Sequence, residues 1–338
     1  MSTMLARALR VALFTLLTAP AHAAADMDES VALVDALRGV YGERPDLRPS
    51  HARGLCARGM FTPSPGAGEL SRARPFQGAP LPARLRFSVA GGNPAVSDAA
   101  RSPRGLAIRL GDGPGLYDLV LISEPVFFAA SRASFLSFFD ARRPDPATGQ
   151  PDPAKLAAHA QRYPESQTQA RLLASHAAPR AYTSATYFAN HAFLFTNADG
   201  HTRPARLWLR PLDGEQRLSE ADALRLGPRF LDASLRQRLS AGPAEFELQA
   251  QLPAPGDDID NPTALWQGQP RMLALGRLRV DALDGDACDA LVYLPTRLPA
   301  GIAAGADPML HLRAPAYQSS WLDRTGAPLP GQAEHTHR

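Results

Sequence analysis

The sequence predicts an α+β fold in which an eight-stranded antiparallel β-barrel has inserted and C-terminal helices. Eight β-rich segments fall into two groups of four, and helical patterns separate the groups and follow the second one. Clusters of Gly and Pro, drawn from 26 Gly and 32 Pro in the chain, mark the ends of these segments as turns. Because closing such strands into a barrel leaves no exposed sheet edge, we expect a closed antiparallel barrel.

The first half of the chain opens with a helix and continues with four strands. Apolar residues at helical spacing predict the helix over residues 29–40. Gly and Pro at 91–94 and 111–114 end the second and third strands. Alternating or β-rich runs predict these strands at residues 50–61, 83–90, 104–110 and 117–123.

Helices interrupt the strands in the second half of the chain. They are predicted at residues 132–142, in two pieces within 153–176, in an amphipathic insert over 219–239 and near 307–322. The other four strands are predicted at residues 186–197, 203–211, 244–252 and 272–280. Since no internal repeat or low-complexity linker divides the chain, we expect one domain over residues 24–331 and a disordered tail over 332–338.

Composition argues against two broad classes of protein. The chain has 338 residues with 36 Lys+Arg and 33 Asp+Glu, a formal net charge of +3, and 45% hydrophobic residues. This hydrophobic content is typical of a folded chain and excludes an intrinsically disordered one. A dedicated nucleic-acid-binding protein would have a concentrated basic surface, so the small net charge argues against that function.

The N-terminal segment, residues 1–23, has the pattern of a signal peptide. Arg7 and Arg10 precede a short apolar run at 11–19, and Pro-Ala-His-Ala at 20–23 supplies an A-x-A cleavage pattern. We therefore predict cleavage after Ala23 and export to the bacterial periplasm. The apolar run is shorter than the roughly 20 residues of a membrane-spanning helix, and no later stretch is long enough to span a membrane, so we expect no stable membrane anchor.

The chain has two cysteines, Cys56 and Cys288. An oxidising compartment permits a disulfide between them, but the sequence does not show how closely their Cα atoms approach. No Cys-x-x-Cys motif and no zinc-type spacing is present. We slightly favour two separate buried thiols.

His51 and Ser88 are candidate catalytic residues. An imidazole has an ordinary pKa near neutrality, which suits it to general acid and base catalysis. A serine hydroxyl that bonds one ring nitrogen fixes the tautomer of such a histidine. His51 lies at the start of the first predicted strand, where a histidine is more often a structural or surface residue, so this pattern alone does not decide.

Arg313 and Tyr317 lie four residues apart near the C-terminal end. On a helix such a pair shares one face. An arginine close to a phenol favours the phenolate and lowers the tyrosine pKa from about 10, and a phenolate is a known ligand of ferric haem. Pro315 lies between the two, so we expect the helix to be kinked or to start there. An exposed arginine beside a packed tyrosine is the alternative.

These motifs occur together and in order, and with them the chain resembles the haem catalase family from about residue 44 to 325. The resemblance implies a catalase-like fold, an eight-stranded antiparallel barrel with an appended helical region, which agrees with the strand count above. The segments that carry it are Arg48-x-x-His51-Ala52-Arg53-Gly54, Arg86-Phe87-Ser88, Arg101-Ser102-Pro103-Arg104-Gly105, Asp118-Leu119-Val120 with Pro125-Val126-Phe127-Phe128, and Arg313-x-x-x-Tyr317.

The resemblance also implies a role for each matching residue. His51 matches the distal histidine, which takes a proton from one peroxide oxygen and returns it to the leaving oxygen, and Ser88 matches the hydroxyl that orients it. Tyr317 matches the proximal ligand of the iron of haem b, with Arg313 as its charge partner. The other matching positions surround the haem: Arg48, Arg86 and Arg324 for its propionates, Phe135 packed against it, Phe127 and Phe138 along the distal approach, and His191 near the proximal arginine.

The chain departs from the large catalases in the distal pocket and in length. In large catalases the distal asparagine lies in a Gly-Asn-Asn-Thr-Pro stretch. The corresponding residues of this chain, 121–125, are Leu-Ile-Ser-Glu-Pro, so Ile122 occupies the position of the asparagine. Isoleucine donates no hydrogen bond to peroxide, and Ser123 would substitute only if the backbone shifted. By the same resemblance, we expect the N-terminal arm, wrapping segment and C-terminal helical domain of large catalases to be missing.

In its short length and its altered distal pocket, the chain resembles the catalase-related peroxidases, which are small and exported. We therefore predict a haem-dependent peroxidase that reduces hydrogen peroxide or organic peroxides with small organic electron donors. We expect weak or no catalase activity, and a monomer or homodimer.

Two alternatives remain open. One is a catalase-fold enzyme that acts on lipid hydroperoxides, which is compatible with the apolar Leu121 and Ile122. The other is a periplasmic haem-binding protein without catalysis. The matches at His51 and Ser88 argue against a carrier of that kind.

Overall fold

The computed structural model describes residues 19–269 and 271–327. Most of the predicted signal peptide and the whole of the predicted tail over 332–338 lie outside these residues. The first helix, α1, spans Ala19–Tyr41, so it extends beyond the predicted 29–40 at its N-terminal end. Among the described helices, none combines the length and the apolar character that crossing a membrane requires.

The described residues form ten strands, all paired antiparallel, and eight of them close into a barrel. In order around the barrel these eight are β1, β2, β3, β4, β5, β7, β8 and β9, with β9 pairing back to β1. The predicted closed barrel is therefore confirmed. In chain order the strands are β1 (Gly54–Pro63), β2 (Leu81–Val89), β3 (Arg104–Leu110), β4 (Tyr117–Ile122), β5 (Tyr187–Phe188), β6 (Phe193–Thr196), β7 (Thr202–Pro211), β8 (Ala244–Leu252), β9 (Arg271–Leu283) and β10 (Ile302–Ala304).

The sheet differs from the prediction at three places. β1 begins at Gly54 and not at residue 50, so His51 precedes the strand and does not lie at its start. The single strand predicted over 186–197 is divided into β5 and β6, because residues 189–192 leave the ladder and their polar side chains bond to other segments. β6 then pairs with the first half of β7 and with β10, outside the barrel. β10 is only three residues long, which is too short for alternation to reveal it.

Helices lie between the two groups of strands and after them, as predicted. The stretches 153–176 and 219–239 each form two helices. Several helix starts are capped by side-chain oxygens, such as Ser131 before α2, Asp152 before α3 and Asp307 before α7. The helices after α1 are α2 (Arg132–Asp140), α3 (Pro153–Arg162), α4 (Gln167–Ser175), α5 (Glu220–Arg225), α6 (Phe230–Ala241) and α7 (Pro308–Thr325).

Two apolar clusters organise the molecule. The larger fills the barrel with side chains such as Phe61, Phe87 and Phe246, each no more than 1% exposed. The second joins α1, α2 and α7, and its buried members include Val34 and Phe135. This helical layer forms one wall of the cavity described below.

Cys56 and Cys288 form a disulfide, so the expectation of two separate thiols is wrong. Their Cα atoms lie 5.3 Å apart although 232 residues separate them in the chain. β1 pairs with β9, and the chain leaving β9 turns back along β1, where the Asp284 N–H donates to the Cys56 carbonyl at 3.0 Å. That proximity comes from strand pairing, which cysteine spacing does not report.

Candidate functional site

A cavity of about 400 Å³ lies between strands β2 to β4 of the barrel and the layer of α1, α2 and α7. This volume is in the range of about 300–1,000 Å³ that small-molecule and cofactor sites occupy. Eight residues that the sequence singled out as catalytic or cofactor-binding line it, whereas His191 does not. The eight are Arg48, His51, Arg86, Ser88, Phe135, Arg313, Tyr317 and Arg324.

His51 is held at one wall of the cavity by the ends of two strands. Its Nδ1 lies 2.9 Å from Ser88 Oγ, near the end of β2. Gly105 of β3 is directly opposite Ser88 in the antiparallel ladder. His51 itself has φ of +54°, a left-handed conformation that is rare for a residue other than glycine. Residues held in such conformations cluster at functional sites, since the surrounding structure must enforce them.

The surroundings of His51 favour the neutral imidazole. Burial, followed by the positive charges of Arg86, Arg313 and Arg48 in that order of effect, lowers the pKa of His51 to about 3. Neutral histidine has one ring N–H. If Nδ1–H donates to Ser88 Oγ, then Nε2 has a free lone pair and is the atom that accepts a proton.

Arg313 and Tyr317 lie on α7, and Arg313 Nη2 donates a hydrogen bond of 2.6 Å to the Tyr317 hydroxyl. The helix begins at Pro308, seven residues before Pro315, and continues through that proline to Thr325. Pro315 is therefore inside the helix and does not start it. The predicted pairing of Arg313 with Tyr317 on one helix face is present.

The start of α7 is fixed by Asp307, which the sequence analysis did not single out. One carboxylate oxygen of Asp307 accepts from the Met309 N–H at 2.8 Å, and the other bonds His191 Nδ1. His191 is 2% exposed and does not line the cavity, and burial is the main cause that lowers its pKa. His191 thus bonds Asp307, the residue that caps α7, the helix that contains Arg313.

Three arginines lie at one end of the cavity, and the nearby carboxylate of Asp289 balances only part of their positive charge. Arg48 and Arg86 share Asp289, at 3.5 Å and 3.6 Å respectively. Arg324 Nε donates to the Ser320 carbonyl, and among the described residues no carboxylate lies within 4 Å of Arg324. Burial and repulsion by Arg48 lower the pKa of Arg86 and that of Arg324 to about 10.

The rest of the cavity wall is apolar and largely aromatic. Phe135 is 7% exposed, and its ring centroid lies 5.4 Å from that of Phe128. Phe127 and Phe138 also line the cavity, as predicted, and α1 adds Leu33, Val34, Leu37 and Tyr41. The covering by α1 was not predicted, because an amphipathic helix does not reveal which surface its apolar face contacts.

Ile122 lines the cavity, whereas Ser123 does not. Ser123 Oγ accepts a hydrogen bond of 2.9 Å from the Arg104 N–H, and its own N–H donates to the Arg104 carbonyl. Ser123 is thus hydrogen-bonded within the sheet and does not offer the cavity a donor in place of the asparagine expected at position 122.

Two amide side chains in the cavity were missed. Asn190 Nδ2 donates to the Glu124 carbonyl at 2.8 Å, and Gln169 Nε2 donates to the Val126 carbonyl at 2.7 Å. Both are at most 6% exposed. A buried amide has no signature in a single sequence, because only the fold determines that it faces a cavity.

The residues of this cavity fit a haem group. The Tyr317 hydroxyl, held by Arg313, provides an oxygen ligand of the type that ferric haem accepts. Arg86 Nε is buried and makes no hydrogen bond among the described residues, since the Asp289 carboxylate lies 3.6 Å away, which leaves a donor for a closer carboxylate. Apolar rings form the walls that a porphyrin requires. The fold and the site together define a haem enzyme of the kind that acts on peroxide.

Comparison with known proteins agrees with this class. The family model described as Catalase matches residues 18–330. A catalase-related peroxidase of Synechococcus elongatus is 37% identical over 297 residues, covering 87% of this chain and 88% of that protein. A catalase-related peroxidase of Mycolicibacterium paratuberculosis is 33% identical, covering 89% of this chain and 96% of that protein. The chain belongs to the catalase family and is an oxidoreductase that acts on peroxide.

A solved structure supports the fold independently. The crystal structure of a fungal catalase matches with a TM-score of 0.75 and 21% sequence identity. The match covers 96% of this chain and 67% of the fungal chain. At this identity the likeness bears on the barrel and its helices alone.

Proposed function

We propose that the protein is a periplasmic haem b peroxidase that reduces hydrogen peroxide or organic peroxides with small organic electron donors. We propose further that its catalase activity is weak or absent and that it is a monomer or homodimer. One observation carries the proposal: a single cavity contains both the His51–Ser88 pair and the Arg313–Tyr317 pair.

The chain's own residues hold the cofactor and shape its site. Tyr317 would ligate the iron, Arg313 would stabilise the negative charge on the phenol oxygen, and Arg48, Arg86 and Arg324 would pair with the haem carboxylates. Haem, when bound, supplies the redox chemistry that cleaves the peroxide O–O bond and takes electrons from a reductant.

His51 moves the proton that this cleavage requires. Because its pKa is lowered to about 3, the imidazole is neutral at physiological pH and Nε2 is free to accept the peroxide proton. The resulting imidazolium lies beside buried arginines and is a strong acid, so it readily returns the proton to the leaving oxygen. Ser88 Oγ accepts from Nδ1–H in both states and keeps the ring in place.

Ile122 supports the peroxidase assignment. Reducing a peroxide with a second peroxide requires the second molecule to be oriented as well, and Ile122 offers no hydrogen bond at that wall. Small organic donors need no such orientation, since they give up electrons one at a time at a haem edge.

Two features support export to the periplasm. The N-terminal segment with Arg7, Arg10 and an apolar run has the order of a signal peptide. The disulfide between Cys56 and Cys288 is of a kind that persists in oxidising compartments. Cell fractionation with N-terminal sequencing of the mature protein tests this part, and an intact Met1 in the cytosolic fraction would contradict it.

The activity is tested by measuring oxygen evolution and phenol oxidation on the same haem-loaded preparation. We expect hydrogen peroxide to drive phenol oxidation and little oxygen release, and His51→Ala to keep haem but lose phenol oxidation. Oxygen release that outpaces phenol oxidation would contradict the proposal. Haem retention with no peroxide reactivity in the wild type would instead indicate a haem carrier.

A further inference from the structure

The disulfide lies against the part of the cavity that would hold the haem carboxylates. Cys56 is directly opposite Arg86 in the β1–β2 ladder. Cys56 and Cys288 are buried in a cluster with Tyr293, and Ala107, Val120 and Leu291 pack against it. Four members of this cluster also line the cavity, namely Ala107, Val120, Leu291 and Tyr293. The disulfide is therefore directly behind the cavity wall.

The segment that follows Cys288 contacts Arg48 and Arg86, two of the three arginines at that end of the cavity. Asp289 places its carboxylate 3.5 Å from Arg48 Nη1 and 3.6 Å from Arg86 Nε. Arg48 Nη2 donates to the Leu291 carbonyl at 3.0 Å. Residues 289–291 thus hold Arg48 by a hydrogen bond and supply the carboxylate nearest to Arg86, whose Nη1 also donates to the His51 carbonyl at 2.9 Å.

Residues 284–294 follow the end of β9 and have no regular secondary structure. Their C-terminal end is tied to β3 and β4, because Arg109 of β3 donates to the Val292 carbonyl at 2.6 Å and the Leu294 N–H donates to Asp118 Oδ2 of β4 at 2.9 Å. Their N-terminal end is tied to β1 by the Cys56–Cys288 bond. Asp289 and Leu291 lie between these two attachments.

We propose that the Cys56–Cys288 disulfide is a positioning element of the haem site, and that haem retention depends on the oxidation state of this cysteine pair. The bond holds residues 289–291 against β1, so that Asp289 and Leu291 orient Arg48 and Arg86 toward the haem carboxylates. A dithiol reductant would transfer two electrons and two protons, becoming a disulfide itself while Cys56 and Cys288 become thiols. The inference rests on the proposed haem function.

The test is the rate of haem transfer from the loaded protein to an excess of apomyoglobin. We expect Cys56→Ala/Cys288→Ala to release haem about tenfold faster than the wild type, in line with the loss that residues supporting metal ligands cause when mutated. A reductant should accelerate release from the wild type and leave the double variant unchanged, because the chain has two cysteines in all.

A second cofactor separates positioning from general loosening of the fold. In haem dimethyl ester the carboxylates are blocked, so a disulfide that acts through Arg48 and Arg86 should alter its release less than about twofold. Leu235→Ala is the matched control, since Leu235 is fully buried in α6 and does not line the cavity. It should lower the unfolding temperature and leave haem release unchanged.

Four results would overturn the inference. The first is two free thiols in the purified protein, and the second is a folded double variant that releases haem at the wild-type rate. The third is a double variant that releases haem dimethyl ester faster than the wild type by the same factor as haem. The fourth is a Leu235→Ala variant that releases haem as fast as the double variant does. If the double variant does not fold, the comparison uses wild type in which reduction is confirmed by counting free thiols. Failure of the oxidised wild type to retain haem would contradict the proposed function instead.

Discussion

The space that a side chain at Gly105 would need is filled by His51 and its partner Ser88. A Cβ atom at Gly105 would lie 2.5 Å from Ser88 Oγ and 2.6 Å from His51 Nδ1. Cβ atoms do not approach non-bonded atoms this closely, so a side chain at this position would displace His51 and Ser88. The glycine of β3 is therefore part of what sets the imidazole in place.

Gly105→Ala is expected to slow the reaction with peroxide by about 100-fold, since a displacement of the order of 1 Å in a catalytic group has that effect. The measurement is the stopped-flow rate constant for haem-loaded protein and hydrogen peroxide. Gly113→Ala is the control, because a Cβ at Gly113 meets nothing within 4 Å. Equal rates in the two variants would contradict a role for Gly105 in positioning His51.

The pH dependence of the peroxide reaction follows from the lowered pKa of His51. The neutral form accepts the proton, so activity is lost only as pH falls through the folded-state pKa of about 3. We expect the rate constant to stay level between pH 7 and roughly pH 4, where a histidine of ordinary pKa, about 6.5, would have lost most of its activity. An inflection near pH 6.5 that disappears in His51→Gln would contradict this account.

Arg324→Met should weaken haem binding without destabilising the apoprotein. Arg48 repels Arg324, so removing the Arg324 charge relieves repulsion in the absence of haem. With haem, one charge-assisted contact to a carboxylate is lost, which lowers affinity by roughly tenfold. Haem titration and the unfolding temperature of the apoprotein measure the two effects. Arg84→Met, at an exposed position in β2 that does not line the cavity, should change neither.

Ile122→Asn should increase oxygen evolution relative to phenol oxidation. The amide would supply a hydrogen-bond donor at the cavity wall, where the isoleucine offers none. Ile122→Val preserves the apolar wall and is expected to leave the ratio unchanged. If the asparagine variant gave no more oxygen than the valine variant, Ile122 would not be what limits catalase activity.

The sequence predicted the barrel well because alternation and turn residues are local properties. It also singled out His51, Ser88, Arg313 and Tyr317 as candidates, through short motifs whose order resembles that of the haem catalase family. In the structure these residues line one cavity.

What the sequence did not predict depends on contacts between distant segments. Asp289 is near Arg48 and Arg86 because strand pairing returns the chain to β1, and Cys288 meets Cys56 for the same reason. The division of the strand over 186–197 likewise follows from bonds that Asn190 and His191 make to other segments. Neither composition nor spacing in a single sequence contains that information.

The most direct test of the central claim is the absorption spectrum of haem-loaded protein before and after one equivalent of hydrogen peroxide. The account predicts a Soret band typical of tyrosine-ligated ferric haem, which shifts with peroxide and returns to its starting position when a phenolic donor is added. His51→Ala should show the same starting band and no rapid shift. Absence of a Soret band after haem reconstitution, or a shift that does not need His51, would contradict the account.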